Sequence, residues 1–204
     1  EVPATVSAWW LGKKFDLHRS KCIGGHAAYS QQLLGLLRAR DFAPIQIVRD
    51  PRAIVSSFAH WIETRPDYYP YASFRGLSIE HRMLRLLEGG VGEGFFFDSF
   101  ATVLDRSYGW LTRPEDVLVV RFESLIGSRG GGDAYQQLRE IERIASWCGV
   151  TDQDVEALRD GLVGGTATFR KGTVDAWQDD FTPSVERVFR AVVGPRLVHW
   201  GYEW

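Results

Sequence analysis

Apolar residues recur along the chain in two alternating patterns, one with the period of a helix and one typical of a buried strand. Helical spacing predicts helices at 27–41, 51–64, 78–88, 97–112, 133–148, 151–162 and from Pro183 to Trp204. Runs of β-branched residues predict strands at 44–48 and 116–123, and KCIGGH at 21–26 predicts a short strand that enters a glycine turn. Strands that alternate with helices favour an α/β fold, in which helices cover a parallel sheet in three layers.

The chain carries neither an internal repeat nor a low-complexity linker. Its glycine-rich stretches, at 87–97 and 126–135, are short enough to be loops, so residues 1–204 are predicted to form a single domain. A hydrophobic content of 45% supplies enough apolar side chains for a core. The net charge of −2 gives no general attraction to nucleic acid or to an anionic membrane. Any anion site must therefore be made locally, and no nucleic-acid partner is expected.

Several features bear on where the protein is found. Cys22 and Cys148 lie far apart without the spacing of a metal site, which indicates free thiols in a reducing compartment. The sequence has no run of about 18 apolar residues, which a membrane span would need. We expect a cytoplasmic protein. The sequence starts at Glu1 without an initiator Met and runs at once into VSAWWLGKKFDL. We therefore expect an N-terminally truncated domain, whose upstream part would change the predicted location if it carried a targeting signal.

The stretch IVRDPRAIVSSF, at 47–58, is a strand-to-helix corner with the chemistry of a phosphate site. Asp50 suits the N-cap of the helix, and Pro51 suits its first turn. Arg49 ends the strand, where open α/β sheets place their ligands, and Ser57 follows on the helix. A guanidinium fork and a hydroxyl suit a terminal phosphate. The other interpretation is that Arg49 pairs with a nearby carboxylate and that Ser57 only lets two helices approach.

A second candidate for phosphate binding is the stretch FRKGTVDAWQDDFT, at 169–182. Gly172 lets backbone N–H groups approach an anion, while Arg170 and Lys171 bring positive charge to a segment that is otherwise acidic. An Arg-Lys pair is also common on solvated surfaces, so this stretch alone leaves both interpretations open.

Together, IVRDPRAIVSSF, VLVVRFESL and FRKGTVDAWQDDFT, in this order and followed by a terminal WGY, resemble the sulfotransferases that use 3'-phosphoadenosine 5'-phosphosulfate (PAPS). The resemblance covers about residues 20 to 202 and implies a P-loop NTPase-like sulfotransferase fold. It implies an enzyme that moves a sulfuryl group from PAPS to a hydroxyl or amine acceptor without a metal. The residues that it assigns to the 3'-phosphate of the nucleotide are Arg49, Ser57, Arg170, Lys171 and Gly172.

Two further residues take roles from this resemblance. Phe122 stands where the family has the Tyr of a Tyr-Glu-Asp motif on the adenine side, and it keeps the aromatic face without the hydroxyl. His26 precedes the phosphate strand, as the family's catalytic His does, and a neutral imidazole suits removal of the acceptor's proton. The other interpretation is that His26 caps a turn or packs against Tyr29. His60, one turn beyond Ser57, is a further candidate for the same pocket.

The chain departs from the family in the other half of the nucleotide site, where a Gly-rich loop with a Lys cradles the 5'-phosphosulfate. WWLGKKFDL supplies Lys13 and Lys14 but not the small-residue loop or the strand before it. Three explanations are open: a fragment of a longer enzyme, a degenerate relative, or a loop supplied by another chain. The alternative function is accordingly a catalytically silent protein that binds the nucleotide or a partner protein. A nucleotide kinase relative is a weaker alternative, because kinases need that loop.

The acceptor is expected to contact the region 65–100, which lies between the two phosphate-binding stretches and is rich in Tyr and Phe. Aromatic walls suit an apolar or sugar-bearing alcohol, although the same residues also suit a plain core. A small molecule, a glycan and a lipid are all open as acceptors, and the oligomeric state is open too.

Overall fold

A computed structural model gives the structure of the chain for residues 8–17, 22–68, 70–92, 95–150, 155–162 and 173–204. Its α-helices are α1 (Ala8–Leu17), α2 (Gln31–Arg38), α3 (Pro51–Trp61), α4 (Tyr71–Phe74), α5 (Ile79–Glu88), α6 (Phe100–Leu111), α7 (Phe122–Ile126), α8 (Ala134–Trp147), α9 (Val155–Leu162) and α10 (Pro183–His199). Its strands are β1 (Ile45–Val48), β2 (Gly90–Gly92), β3 (Phe95–Phe97) and β4 (Leu118–Arg121), and 3₁₀ helices lie at Ile62–Thr64, Ser128–Gly130 and Ala176–Asp179. The predicted α/β class is confirmed.

A small parallel sheet, made by β1 and β4, positions the candidate site. Ile45 pairs with Leu118 and Val48 pairs with Arg121, so the strands are aligned over their whole length. Because the strands are parallel, their carboxyl ends meet at one edge of the sheet, where ligands bind in open α/β sheets. In the part of the chain that the structure describes, this sheet has two strands. The three-layer P-loop arrangement, the single domain and the N-terminal truncation stay predictions.

The hydrophobic core packs helices against β1 through the buried side chain of Val48. Helix α3 contacts α5, and α10 contacts both α5 and α6. Val55 of α3, Met83 of α5 and Phe189 of α10 are at most 1% exposed. Burial of apolar surface is worth about 25 cal/mol per Å², so these contacts hold α3 firmly. The corner between β1 and α3 is therefore fixed in space by the core.

Side-chain caps set where several predicted helices begin. Ser78 caps α5 and Asp133 caps α8, and each side chain accepts a hydrogen bond from the backbone N–H three residues later. Ser30 caps α2 in the same way, so this helix begins at Gln31 rather than at residue 27. The predicted helices are thus confirmed with shorter bounds, and the last part of the one predicted at 151–162 is seen as α9.

Two strand predictions need correction. Residues 22–30, which include most of the predicted strand KCIGGH, have no regular structure, because no described strand pairs with them. The strand predicted at 116–123 ends at Arg121, because the next residues turn into the short helix α7. The change of direction at Phe122 places that side chain at the edge of the sheet rather than within a strand.

The β2–β3 hairpin was not predicted, because its glycines are typical of a loop. Gly90 pairs with Phe97 in an antiparallel register, and α6 begins at Phe100 rather than at residue 97. Gly89, between α5 and β2, has a φ of +72°, and a Cβ there would lie 2.4 Å from the backbone nitrogen of Ser99. Only glycine fits this turn without a shift of the backbone, so Gly89 allows the chain to turn from α5 into the hairpin.

Candidate functional site

The strand-to-helix corner has the cap that the sequence predicts. The carboxylate of Asp50 accepts a hydrogen bond from the backbone N–H of Arg52 at 2.8 Å, and Pro51 occupies the first turn of α3. The guanidinium of Arg52 also binds Asp50, with a shortest N–O distance of 2.6 Å. The carboxylate next to Arg49 in the sequence is therefore engaged by Arg52, on the helix side of the corner.

Arg49 and Phe122, two of the predicted site residues, lie together at the carboxyl edge of the sheet. Each directly follows one of the two paired strands, since Val48 is opposite Arg121. The Cζ atom of Arg49 lies 4.4 Å from the centroid of the Phe122 ring, which is a cation–π contact. A positive charge thus lies over one face of an aromatic ring at this edge of the sheet, and these two groups suit a ligand with a phosphate and an aromatic base.

Ser57 and its neighbour Ser56 have different environments on α3. Ser57 is half-buried, and its hydroxyl makes no hydrogen bond with the described residues. Ser56 is 2% exposed, and its hydroxyl donates to Asp180 at 2.5 Å. Consecutive helical residues point about 100° apart, so one serine is fixed in the interior while the other is directed elsewhere. Of these two serines, Ser57 is the one whose hydroxyl has no hydrogen-bond partner among the described residues.

Ser56, Asp180 and His60 form a cluster that joins α3 to the segment before α10. The Nε2 atom of His60 lies 3.0 and 3.1 Å from the two carboxylate oxygens of Asp180. Asp180 accepts from both partners, and no hydrogen bond joins His60 to Ser56 among the described residues, so the cluster differs from a Ser-His-Asp triad, in which the His lies between the other two. His60 was a candidate for the phosphate pocket, and the structure instead places its Nε2 on Asp180. This Ser56–Asp180–His60 cluster is a link between two segments.

Glu123 bridges the strand edge and the end of the chain. One carboxylate oxygen accepts from the backbone N–H of Asp50 at 2.8 Å, and the other accepts from the hydroxyl of Tyr202 at 2.8 Å. Arg121 donates to the carbonyl oxygen of Gly201 at 2.8 Å, and its Cζ lies 4.7 Å from the Tyr202 ring centroid. The WGY end of the chain is thereby attached beside Arg49 and Phe122.

Burial and the neighbouring Glu123 carboxylate raise the pKa of Tyr202 well above its ordinary value of about 10. In the unfolded chain Tyr202 ionises near pH 10, whereas in the folded protein it keeps its proton to higher pH. Its contribution to the free energy of unfolding is therefore present below about pH 10 and is lost as the pH rises above it.

Tyr202→Phe has no hydroxyl proton to lose at this position. Between about pH 9.5 and 11, its free energy of unfolding should therefore fall less steeply than that of the wild type. Urea titrations of both proteins across this range measure the two slopes, and the other tyrosines are common to both. Equal slopes would contradict the raised pKa of Tyr202.

His26 lies on the irregular segment 22–30 and is exposed to solvent. Two hydrogen bonds attach the segment to α6. The backbone N–H of Tyr29 donates to the carbonyl oxygen of Arg106, and the indole N–H of Trp110 donates to the carbonyl oxygen of Ala27, both at 2.9 Å. Within the described residues, no hydrogen bond, ion pair or ring contact joins His26 to the Arg49–Phe122 pair. The base role of His26 therefore stays a prediction.

The predicted Arg-Lys-Gly loop, with Arg170, Lys171 and Gly172, lies outside the described residues. The segment that follows it is described from Thr173 and ends at Thr182, which caps α10 and donates to Glu80 at 3.0 Å. The backbone N–H of Val174 donates to the carbonyl oxygen of Gly130, at 2.9 Å. The segment 173–182 thus runs between the 3₁₀ helix Ser128–Gly130 and the start of α10.

Sequence reasoning missed Glu123, Asp180, Ser56 and the hydrogen-bonding role of Tyr202. Each acts through a partner that is distant in the sequence, and no local spacing signals such a contact.

The described residues hold no group of three or more His, Cys, Asp or Glu side chains placed to bind a metal ion. Among the same residues, no helix is both long enough and apolar enough to cross a membrane.

The comparisons with known proteins give a likeness of fold. No protein-family model and no curated protein matches the chain. Among solved structures, it is similar to the mouse sulfotransferase SULT7A1 complexed with PAP, with a TM-score of 0.59 and 18% sequence identity. The match covers 85% of this chain and 66% of the mouse chain, so the chain spans just under two thirds of its neighbour. The chain therefore has an α/β fold, with a small parallel sheet, that is similar to the fold of a sulfotransferase.

Proposed function

We propose that the protein is a PAPS-dependent sulfotransferase, which moves a sulfuryl group from PAPS to a hydroxyl or amine acceptor. The observation that carries the proposal is the contact between Arg49 and Phe122 at the carboxyl edge of the sheet. It lies at the place where open α/β sheets bind ligands, in a fold similar to that of a PAP-bound sulfotransferase. The resemblance in the sequence assigns Arg49 to the 3'-phosphate and Phe122 to the adenine side of the same nucleotide.

The proposed nucleotide site divides between a charged part and an aromatic part. Arg49 offers a planar pair of N–H donors and Ser57 a hydroxyl donor, and both suit the 3'-phosphate. Phe122 presents an apolar ring to the adenine. By their likeness to the family, Arg170, Lys171 and Gly172 complete the 3'-phosphate site. Since the Arg49 guanidinium lies over the Phe122 ring, we expect it to move toward the phosphate when the base binds.

In the proposed reaction the acceptor oxygen or nitrogen attacks the sulfur of PAPS and forms a new bond to it. The bond from sulfur to the bridging phosphate oxygen breaks, and adenosine 3',5'-bisphosphate (PAP) leaves with that electron pair. His26 takes the proton of the acceptor, because a neutral imidazole near pH 7 is a suitable base. The enzyme itself forms no covalent intermediate, and the step needs no metal.

The second candidate function is a catalytically silent protein that binds the nucleotide. It is favoured by the position of Lys13 and Lys14, which lie on helix α1 rather than on a glycine-rich loop after a strand. Such a protein keeps the groups for the 3'-phosphate but lacks described groups for the sulfate. The kinase alternative needs the same loop and has less support for that reason.

A transfer assay with radiolabelled PAPS separates these two functions. We expect label to appear on at least one member of a panel containing a phenol, an alkyl alcohol, an amine, a sugar and a lipid alcohol. Buffer without protein and heat-denatured protein are the controls. Preferential binding of PAP without transfer to any acceptor would instead support the silent binding protein.

The acceptor side is proposed to lie in the aromatic region 65–100. Phe74 is 2% exposed and belongs to the core, as the plainer interpretation of this region requires. Phe96 and Val91, which pair across the β2–β3 hairpin, are 53% and 73% exposed. The hairpin therefore offers apolar surface to a small molecule, a glycan or a lipid, and the panel of acceptors in the transfer assay distinguishes among them.

A cytoplasmic location also stays a prediction.

A further inference from the structure

The Ser56–Asp180–His60 cluster is more specific than the packing of two segments requires. The Asp180 side chain is 14% exposed, and it receives donors from α3 at positions i and i+4. A carboxylate removed from water is costly unless donors replace the lost hydration. Two donors one helical turn apart therefore fix both the rotation and the height of α3 relative to Asp180.

The same contact bears on the proposed nucleotide site, because Ser57 lies between the two donor positions on α3. If the cluster sets the rotation of α3, it also sets the direction of the Ser57 hydroxyl. The guanidinium of Arg52 lies 4.4 Å from the Trp177 ring centroid and adds a second contact between α3 and the segment 173–182.

The segment 173–182 also has a contact away from α3. The N–H of Val174 donates to the carbonyl oxygen of Gly130, beyond the helix that begins at Phe122. In the sequence this segment follows the predicted Arg-Lys-Gly loop directly. It thus links α3, which carries Ser57, to the 3₁₀ helix Ser128–Gly130 that follows α7, and its hydrogen bonds to α3 are made by Asp180.

We infer that Asp180 is a positioning residue, which holds the segment 173–182 on α3 and thereby sets the preference for a nucleotide with a 3'-phosphate. The inference rests on the proposed function, because it concerns the same nucleotide site. Asp180 carries a negative charge and is therefore not proposed to bind the phosphate itself. It acts through Ser56 and His60, which hold the helix that carries Ser57.

The test compares dissociation constants for PAP and for 5'-AMP, measured by calorimetry on the full chain. Asp180→Ala should raise the Kd for PAP by about tenfold or more and change the Kd for 5'-AMP by less than about threefold. Asp180→Asn should stay within about threefold of wild type, because its amide can bond to both Ser56 and His60. Asp179→Ala is the matched control, since it removes the same charge from an exposed neighbour.

A purely structural role predicts an equal loss for both nucleotides in Asp180→Ala, and that result, or no loss at all, overturns the inference. Circular dichroism checks that the variant is folded. If Asp180→Ala is not folded, His60→Ala takes its place. It removes one of the two donors to Asp180, and we expect it to fold because the His60 side chain is 29% exposed. This variant should raise the Kd for PAP by about threefold or more and leave the Kd for 5'-AMP unchanged. An unchanged ratio overturns the inference, whereas a wild type without any preference for PAP overturns the proposed function as well.

Discussion

Replacing Arg49 with alanine is expected to weaken the binding of PAP by about 10- to 150-fold. Charge-assisted hydrogen bonds are worth about 1.5–3 kcal/mol, and each 1.4 kcal/mol is a factor of ten in the dissociation constant. The guanidinium at the carboxyl end of β1 is proposed to bind the 3'-phosphate, so 5'-AMP, which lacks this phosphate, should lose little affinity. Calorimetric titration with both nucleotides measures the two effects.

Two further variants make the Arg49 experiment specific. Arg49→Lys keeps the charge but loses the planar fork, and we expect an affinity for PAP between those of wild type and Arg49→Ala. Arg139 lies on α8 and its side chain is 64% exposed, so Arg139→Ala should bind PAP like the wild type. Equal losses for PAP and 5'-AMP in Arg49→Ala would contradict a role at the 3'-phosphate.

Replacing His26 with alanine is expected to lower turnover with PAPS by about 10²- to 10⁴-fold, the usual contribution of a general base. A base acts on the proton of the acceptor in the transition state, so the affinity for PAP should stay within about twofold of wild type. Because His26 is exposed and lies on an irregular segment, its loss should leave the fold intact. The measurement is the rate of label transfer from PAPS at saturating nucleotide.

The control for this experiment is His199→Ala, which removes another exposed histidine at the end of α10. It should turn over PAPS at the wild-type rate. Full turnover by His26→Ala would remove His26 from the mechanism and leave the base to be found elsewhere.

The parts of the fold that the sequence predicted well are those with a local cause. Asp50 and Pro51 start α3 because a capping carboxylate and a fixed proline φ act within one turn. The strand at 44–48 is seen as β1, in which Val48 is buried at 2% exposed whereas Ile45 and Ile47 are exposed. The contact between Arg49 and Phe122 was not predicted, and it arises because each residue directly follows one of the two paired parallel strands.

The parts that sequence pattern did not predict depend on partners far along the chain. Glu123 and Tyr202 are 79 positions apart, and Ser56 and Asp180 are 124 apart, so no local period connects them. The KCIGGH stretch has strand-like residues, but a strand also needs a neighbour to accept its hydrogen bonds. Ser56 and Ser57 look alike in the sequence, and only the packing of α3 decides which of them is buried.

A thermal-unfolding titration of the wild-type chain with PAP and with 5'-AMP tests the nucleotide site most directly. A ligand at about 100 times its dissociation constant adds about 2.7 kcal/mol to the free energy of unfolding. We expect PAP to raise the Tm at concentrations where 5'-AMP has little effect, because the site is proposed to bind the 3'-phosphate. Equal shifts with both nucleotides, or no shift in a chain shown to be folded, would contradict the proposed 3'-phosphate site.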